Sequence, residues 1–207
     1  LEKIKKYHPN AKLVIRIRVD DSKSVCQFGA KFGVHTGLTR DLIEKVDELQ
    51  MNLVGVSFHV GSGCGDPNAY YDAIKKAREV FDEAEEFNMK LTLLDIGGGF
   101  TSEDFKHHSK IINESLEHFF SDLKVKVIAE PGRYYASPAM NLAVNVTGRR
   151  QIINNKTEES DSKSEVDTNK SFMYYVSDGA YGTFNCILYD HWEVKDAAAR
   201  GIPELWD

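Results

Sequence analysis

Three consecutive glycines follow a short hydrophobic segment, and this pattern suggests binding chemistry. Leu91–Phe100 reads LTLLDIGGGF, so the apolar run ends at Gly97, Gly98 and Gly99. A run of this length is typical of a strand that is buried on both faces. Residues without a Cβ atom let a ligand approach the backbone closely, and their N–H groups can turn toward an anion. A phosphate-binding loop and a flexible turn are both consistent with these glycines alone.

A second hydrophobic segment ends in residues that suit the same ligand. Lys126–Glu130 reads KVIAE and is followed by Pro131, Gly132, Arg133 and Tyr134. In barrels of alternating strands and helices, phosphate groups bind in the loops after the last two strands. The two segments therefore favour a phosphate site. A nucleotide is the weaker interpretation, because the sequence contains neither a Walker loop nor a GxGxxG turn opening a helix.

Other polar residues at predicted strand ends allow both a structural and a functional interpretation. His59 stands beside Gly61-Ser62-Gly63, and alone it is more often a core histidine or a proton carrier than a partner for a ligand ring. Glu130 either holds Arg133 or lies beneath a cofactor, and its position favours function. Arg16 is either a surface residue or a group that orients a ligand. Asp190 is harder to explain as a turn residue than Asp178, which precedes a glycine.

The elements that position these residues alternate between strand and helix. Strands are predicted over four segments, Leu13–Val19, Leu53–Val60, Leu91–Ile96 and Lys126–Glu130. The longest helix opens at Pro67, and its inner stripe is predicted to contain Ile74, Ala77, Phe81 and Ala84. This alternation predicts a parallel sheet with its site at the carboxyl ends of the strands.

The pattern changes near Pro138, where we place a domain boundary between residues 1–138 and 139–207. After Ala139 no helical pattern follows, and Phe172–Val176 and Phe184–Tyr189 are predicted to be strands of an antiparallel unit. Lys156–Lys170 is rich in charged and polar residues, so a disordered loop is expected there.

Composition limits the classes of function. The chain has 207 residues, a net charge of −6 and 42% hydrophobic residues, and no cluster of Lys and Arg is visible. Nucleic acid is therefore an unlikely partner by charge, and a cytoplasmic metabolic protein is expected. Three scattered cysteines support neither a disulfide framework nor a metal site, and no apolar run approaches the length of a membrane span. The chain starts without Met at Leu1, so a fragment is expected.

Four motifs in order resemble the eukaryotic ornithine decarboxylases. They are SFHVGSGC (Ser57–Cys64), LLDIGGGF (Leu93–Phe100), AEPGRYY (Ala129–Tyr135) and YVSDGAYGTFNCILYDH (Tyr175–His191). The resemblance covers about Leu13 to Trp192. It implies an α/β fold: the C-terminal half, strands five to eight, of a (β/α)8 TIM-type barrel that binds pyridoxal 5′-phosphate (PLP), followed by part of an all-β domain. It also implies a cytoplasmic homodimer with shared active sites that decarboxylates L-ornithine to putrescine.

The resemblance assigns roles by position. His59 would stack on the pyridine ring, Glu130 would pair with the ring nitrogen, and Arg16 would lie beside the cofactor. Tyr189 and Asp190 would meet the distal ammonium of ornithine. The cofactor's phosphate would be surrounded by a larger set of residues, Ser62, Gly97, Gly98, Gly99, Gly132 and Arg133. Tyr134 would also belong to the cofactor-binding residues.

This sequence lacks two groups of the family's active site, and it leaves two alternative functions open. The Schiff-base lysine and the partner subunit's reactive cysteine of such enzymes have no equivalent here, so the isolated chain is expected to be inactive. A non-catalytic regulator similar to antizyme inhibitor, with antizyme as its partner, is one alternative. A related arginine, diaminopimelate or lysine decarboxylase is the other.

Overall fold

The computed structural model describes residues 1–153 and 170–190, and these fall into two units. The division lies between Leu1–Met140 and Asn141–Asp207. The boundary predicted near Pro138 is close to this division.

The first unit is built around a parallel sheet with helices between its strands. Its strands are β1 (Lys12–Arg16), β2 (Ser24–Cys26), β3 (Asn52–Ser57), β4 (Ser62–Cys64), β5 (Leu93–Asp95) and β6 (Lys126–Ile128). Its helices are α1 (Glu2–Tyr7), α2 (Thr39–Glu48), α3 (Asn68–Glu86), α4 (Phe105–Phe120) and α5 (Gly132–Ala136), with short 3₁₀ turns at Thr36–Leu38 and Ser137–Ala139.

Strand order in the sheet follows chain order. The four strands β1, β3, β5 and β6 pair in parallel in that order, while β2 and β4 form a separate antiparallel pair. Parallel strands that neighbour one another in chain order, with helical crossovers, are the arrangement of a β/α barrel. The predicted parallel sheet is therefore confirmed, although each strand is shorter than its hydrophobic segment.

Burial of one helix face explains how the sheet is covered. Pro67 is the N-cap of α3, and the predicted stripe Ile74, Ala77, Phe81 and Ala84 is buried. These residues recur at intervals of three and four, so they share the face that covers the sheet. On the sheet, Val56 and Leu94 are fully buried beneath the helices. The core therefore lies between the sheet and α2, α3 and α4.

In the described part of the second unit, residues 141–153 and 170–190, a hairpin is followed by a short helical segment. Strands β7 (Val146–Ile153) and β8 (Lys170–Val176) pair antiparallel, which confirms the strand predicted over Phe172–Val176. The strand predicted over Phe184–Tyr189 is wrong, because a 3₁₀ turn at Thr183–Asn185 leads into helix α6 (Cys186–Tyr189). A short apolar run does not distinguish strand from helix by itself. The loop predicted over Lys156–Lys170 lies outside the described residues, except for Lys170.

No helix in the described ranges is long and apolar enough to span a lipid bilayer.

Candidate active site

Several of the predicted site residues lie at the carboxyl edge of the parallel sheet. A single row of paired residues crosses the four strands: Arg16, Ser57, Asp95 and Ile128. His59, Gly97 and Glu130 each follow a member of this row by two positions. These three residues therefore lie just beyond the same row, at the carboxyl ends of three neighbouring strands. The topology thus gathers groups that are 114 positions apart in sequence, from Arg16 to Glu130.

The glycine loop, Gly97–Gly99, is held through its carbonyl groups. The Gly97 carbonyl accepts from the Glu130 N–H at 2.7 Å, the Gly98 carbonyl from the Tyr70 hydroxyl at 3.1 Å, and the Gly99 carbonyl from the Cys64 N–H at 3.2 Å. The Gly97 N–H donates to Asp95 Oδ1 at 2.9 Å. Among the described residues, no acceptor meets the N–H of Gly98 or Gly99. Two neighbouring N–H groups without a protein partner fit an anionic ligand.

Close packing of backbone against backbone explains why this loop is made of glycine. Gly97 and Gly99 have φ of +64° and +107°, which side chains rarely tolerate. A Cβ atom on Gly98 would lie 2.8 Å from the Glu130 carbonyl oxygen and 3.0 Å from His59 Nε2. The loop therefore touches the ends of both neighbouring strands. A flexible turn would not require such contacts, so the geometry favours the binding interpretation.

Arg133 and Ser62 reach the same region from two different strand ends. Arg133 Nε donates to Ser62 Oγ at 3.2 Å, joining the start of α5 to β4. Beside them, a Cβ atom on Gly132 would meet nothing within 4 Å. A guanidinium, a hydroxyl and an open backbone position are the groups that bind phosphate oxygens. Together with the two N–H groups of the glycine loop, these residues fit the phosphate of PLP.

His59 is oriented and kept neutral by its surroundings. Its Nδ1 accepts from the Gly61 N–H at 3.0 Å, which places the proton of the neutral ring on Nε2. Burial lowers the pKa of His59, and the positive charge of Arg16 lowers it further. The ring is therefore uncharged at neutral pH. A flat, uncharged imidazole suits the face of a protonated heterocycle better than an imidazolium, because it adds no repulsion.

The segment that follows β1 supplies two contacts that sequence reasoning missed. Phe28 meets the His59 ring edge-on, with centroids 5.0 Å apart. Asp21 holds this segment by accepting from the N–H groups of Phe28 at 2.5 Å and Gly29 at 2.7 Å. Arg16 lies over the Phe32 ring at 5.0 Å. Phe28 belongs to no motif in the sequence. The only signal before it is the pair Asp20-Asp21, which could have indicated a turn held by a carboxylate.

The side chains of Glu130 and Tyr134 lie in different surroundings. The Glu130 side chain is exposed, while its backbone N–H fixes the glycine loop. The Tyr134 ring lies 4.5 Å from the Phe105 ring and, with Ile112 and Ala129, lines an apolar groove of about 210 Å³. Since this groove contains residues of α4, the ring is on the helix-covered side. No contact between Tyr134 and His59 occurs among the described residues, and the assignment of Tyr134 to the cofactor stays a prediction.

Tyr189 and Asp190 belong to the second unit. Tyr189 ends α6 and is 72% exposed, and the Asp190 N–H donates to the Cys186 carbonyl at 3.0 Å. The apolar residues before Asp190 are also exposed, with Ile187 at 43% and Leu188 at 46%. The assignment of Tyr189 and Asp190 to substrate stays a prediction.

Metal ligands do not gather in the part of the chain that the structure describes: it holds no group of three or more His, Cys, Asp or Glu side chains arranged to bind an ion. The donors present are N–H, hydroxyl and guanidinium groups, and these bind anions. The fold and these donors define an α/β barrel-type protein with a candidate anion-binding site at the carboxyl ends of its strands.

The family follows from comparison with known proteins. Residues 1–137 match the sequence profile of the family described as "Pyridoxal-dependent decarboxylase, pyridoxal binding domain". The chain belongs to this family. Its parallel sheet is accordingly part of the PLP-binding barrel of these enzymes, and the hairpin unit follows as part of the β domain.

Three relatives illustrate the similarity. The chain is 49% identical over 202 residues to ornithine decarboxylase of Mus musculus, covering 94% of this chain and 43% of the mouse protein. It is 46% identical over 197 residues to antizyme inhibitor 2 of Xenopus laevis, covering 92% of this chain and 42% of the Xenopus protein. The crystal structure of the Paramecium bursaria Chlorella virus arginine decarboxylase superposes with a TM-score of 0.82 at 35% identity, covering 98% of this chain and 51% of that one. The chain thus spans less than half of the length of the mouse and Xenopus proteins and about half of the viral one.

Proposed function

We propose that the complete protein containing this chain is a PLP-dependent decarboxylase that converts L-ornithine to putrescine. One observation carries the proposal: the glycine loop touches both His59 and Glu130 while Arg133 is joined to Ser62, at a single edge of the sheet. The similarity to ornithine decarboxylases over nearly the whole chain supports the choice of substrate. A cytoplasmic location is part of the same proposal.

The phosphate of PLP would be bound by groups that the fold already directs to one place. The N–H groups of Gly98 and Gly99 would donate to its oxygens, and Arg133 would neutralise its charge. Ser62 orients Arg133 through the contact at 3.2 Å. Gly132 leaves room for the ligand because its missing Cβ would contact nothing nearby.

The ring of PLP would lie between His59 and the carboxylate of Glu130. When bound, PLP supplies the electron sink for the bond that is broken as carbon dioxide leaves. Glu130 would hold a proton at the ring nitrogen, because a carboxylate stabilises the protonated form of its partner. The neutral His59 would cover one ring face and exclude water from it. Burial, and next the positive charge of Arg16, lower the pKa of His59 and so favour its unprotonated form.

The substrate end is proposed on chemistry alone. Asp190, with Tyr189, would accept from the distal ammonium of ornithine, a charge-assisted contact that selects diamino acids. A homodimer with shared active sites is likewise proposed, by analogy with the family. Both proposals concern the complete protein.

A regulatory protein is the second candidate, and the similarity to antizyme inhibitor 2 favours considering it. Such a protein would bind antizyme and would not need a PLP site. Here the phosphate-binding groups remain in a mutually consistent geometry, with Arg133 on Ser62 and two N–H groups of the glycine loop without a protein acceptor among the described residues. A protein relieved of cofactor binding has no need to keep these contacts, so the enzyme is the better supported function.

A substrate panel with the complete protein tests the proposal. PLP binding is measured by the visible absorbance of the reconstituted protein, and carbon dioxide release is measured with ornithine, lysine, arginine and diaminopimelate. We expect a PLP absorbance band and the highest kcat/KM with ornithine. Absence of the band would favour the regulator, and a preference for lysine, arginine or diaminopimelate would identify a related decarboxylase.

A further inference from the structure

The orientation of each peptide unit in the glycine loop is set by what its carbonyl group contacts. All peptide bonds in the described residues are trans, and in a planar trans peptide the C=O and the next N–H point in opposite directions. The Gly98 carbonyl points at the Tyr70 hydroxyl, 3.1 Å away on the helix side of the sheet. The Gly99 N–H must therefore point away from α3, toward the ligand side.

Tyr70 differs from the other two contacts of this loop. The carbonyls of Gly97 and Gly99 accept from the backbone N–H groups of Glu130 and Cys64. These two bonds therefore do not depend on which side chains stand at positions 130 and 64. The Gly98 carbonyl is held by a side chain. One mutation can therefore release the middle peptide while leaving the two backbone bonds intact.

The Tyr70 ring is fixed in its place. It is fully buried, stacks on Phe100 at 5.3 Å with an angle of 18°, and contacts the His108 ring at 5.2 Å. Burial raises the pKa of the Tyr70 hydroxyl, so the group stays protonated and remains a donor. A rigid donor fixes its acceptor more firmly than a mobile one, because less side-chain entropy opposes the bond.

We propose that Tyr70 is a positioning residue for the phosphate of the cofactor: by holding the Gly98 carbonyl on the buried side, it keeps the Gly99 N–H directed at the phosphate site. Tyr70 itself lies behind the loop and does not touch the ligand. This inference rests on the proposed function, because it takes the ligand of the glycine loop to be PLP.

The test compares Tyr70→Phe with Tyr71→Phe in the complete protein. Tyr71 is the next residue on α3 and packs on Phe119, and its hydroxyl makes no described contact with the glycine loop. Both variants lose one hydroxyl and keep the ring. Equilibrium binding of PLP and of pyridoxal, which lacks the phosphate, is measured for wild type and variants by absorbance titration of the apoprotein. The ³¹P resonance of bound PLP reports the phosphate's surroundings.

We expect Tyr70→Phe to weaken PLP binding about 3- to 10-fold, because one neutral hydrogen bond is removed. Pyridoxal binding should stay unchanged, the ³¹P resonance should shift, and Tyr71→Phe should match wild type in all three measurements. A general structural role would weaken PLP and pyridoxal by the same factor, and that result would overturn the inference. So would PLP binding by Tyr70→Phe within twofold of wild type. Failure of the wild-type protein to bind PLP would instead overturn the proposed function, and this inference with it.

Discussion

Replacing Gly98 by Ala is the change whose consequence the structure fixes most closely. The new methyl group would lie 2.8 Å from the Glu130 carbonyl oxygen and 3.0 Å from His59 Nε2. Real Cβ atoms do not approach a backbone oxygen this closely, so the loop, the end of β6 or the His59 ring must move. Overpacking of this kind costs about 1–3 kcal/mol. The displaced groups are those proposed to hold PLP, so the expected result is a loss of PLP affinity of about 10-fold or more.

Gly179→Ala is the matched control for this change. A Cβ atom at Gly179 would meet nothing within 4 Å, and Gly179 lies outside the proposed site. PLP affinity is measured by absorbance titration and thermal stability by calorimetry, both on the complete protein. Gly98→Ala should lower both quantities, and Gly179→Ala should change neither. Wild-type PLP affinity in Gly98→Ala would refute the assignment of this loop to the cofactor.

Three further predictions concern single side chains. Arg133→Met should weaken PLP binding about 10- to 100-fold because a charge-assisted contact is lost, with pyridoxal binding unchanged in the same titration; equal losses for both ligands would contradict it. Glu130→Gln should lower kcat for carbon dioxide release by about 100-fold, while PLP remains bound; an unchanged kcat would exclude the proposed role. His108→Leu should raise the melting temperature at neutral pH, because buried His108 Nδ1 has no hydrogen-bond partner among the described residues. Burial lowers the pKa of His108 below its ordinary 6.5, so the wild-type protein loses no stability through this group above pH 6.5 and loses stability as the pH falls below that value. The melting temperature of His108→Leu should therefore fall less steeply with decreasing pH than that of wild type. The same pH dependence in both proteins would contradict this.

The parallel sheet could be predicted from sequence because buried strands and amphipathic helices leave clear periodic patterns. The inner stripe of α3 is an example, since Ile74, Ala77, Phe81 and Ala84 are all buried as expected. The prediction of a strand over Phe184–Tyr189 was wrong because this segment lacks such a pattern. Its short apolar run carries no period that separates strand from helix, and the structure places a helical segment there.

The grouping of His59, Gly97–Gly99 and Glu130 could be predicted because each follows a strand at the same end of a parallel sheet. The direction of individual side chains could not. Tyr134 sits beside Arg133 in the sequence, yet its ring contacts Phe105 on the helix side. The contact between the Tyr70 hydroxyl and the Gly98 carbonyl could not be predicted either, because nothing in a single sequence shows which backbone carbonyl a buried hydroxyl will meet.

A crystal structure of the complete protein with PLP bound would show whether the glycine loop holds the cofactor's phosphate. We expect the phosphate within hydrogen-bonding distance of the N–H groups of Gly98 and Gly99 and of the Arg133 guanidinium. We also expect the ring against His59, with the Glu130 carboxylate at the ring nitrogen. A phosphate bound elsewhere in the barrel, with Gly98 and Gly99 facing solvent, would contradict it.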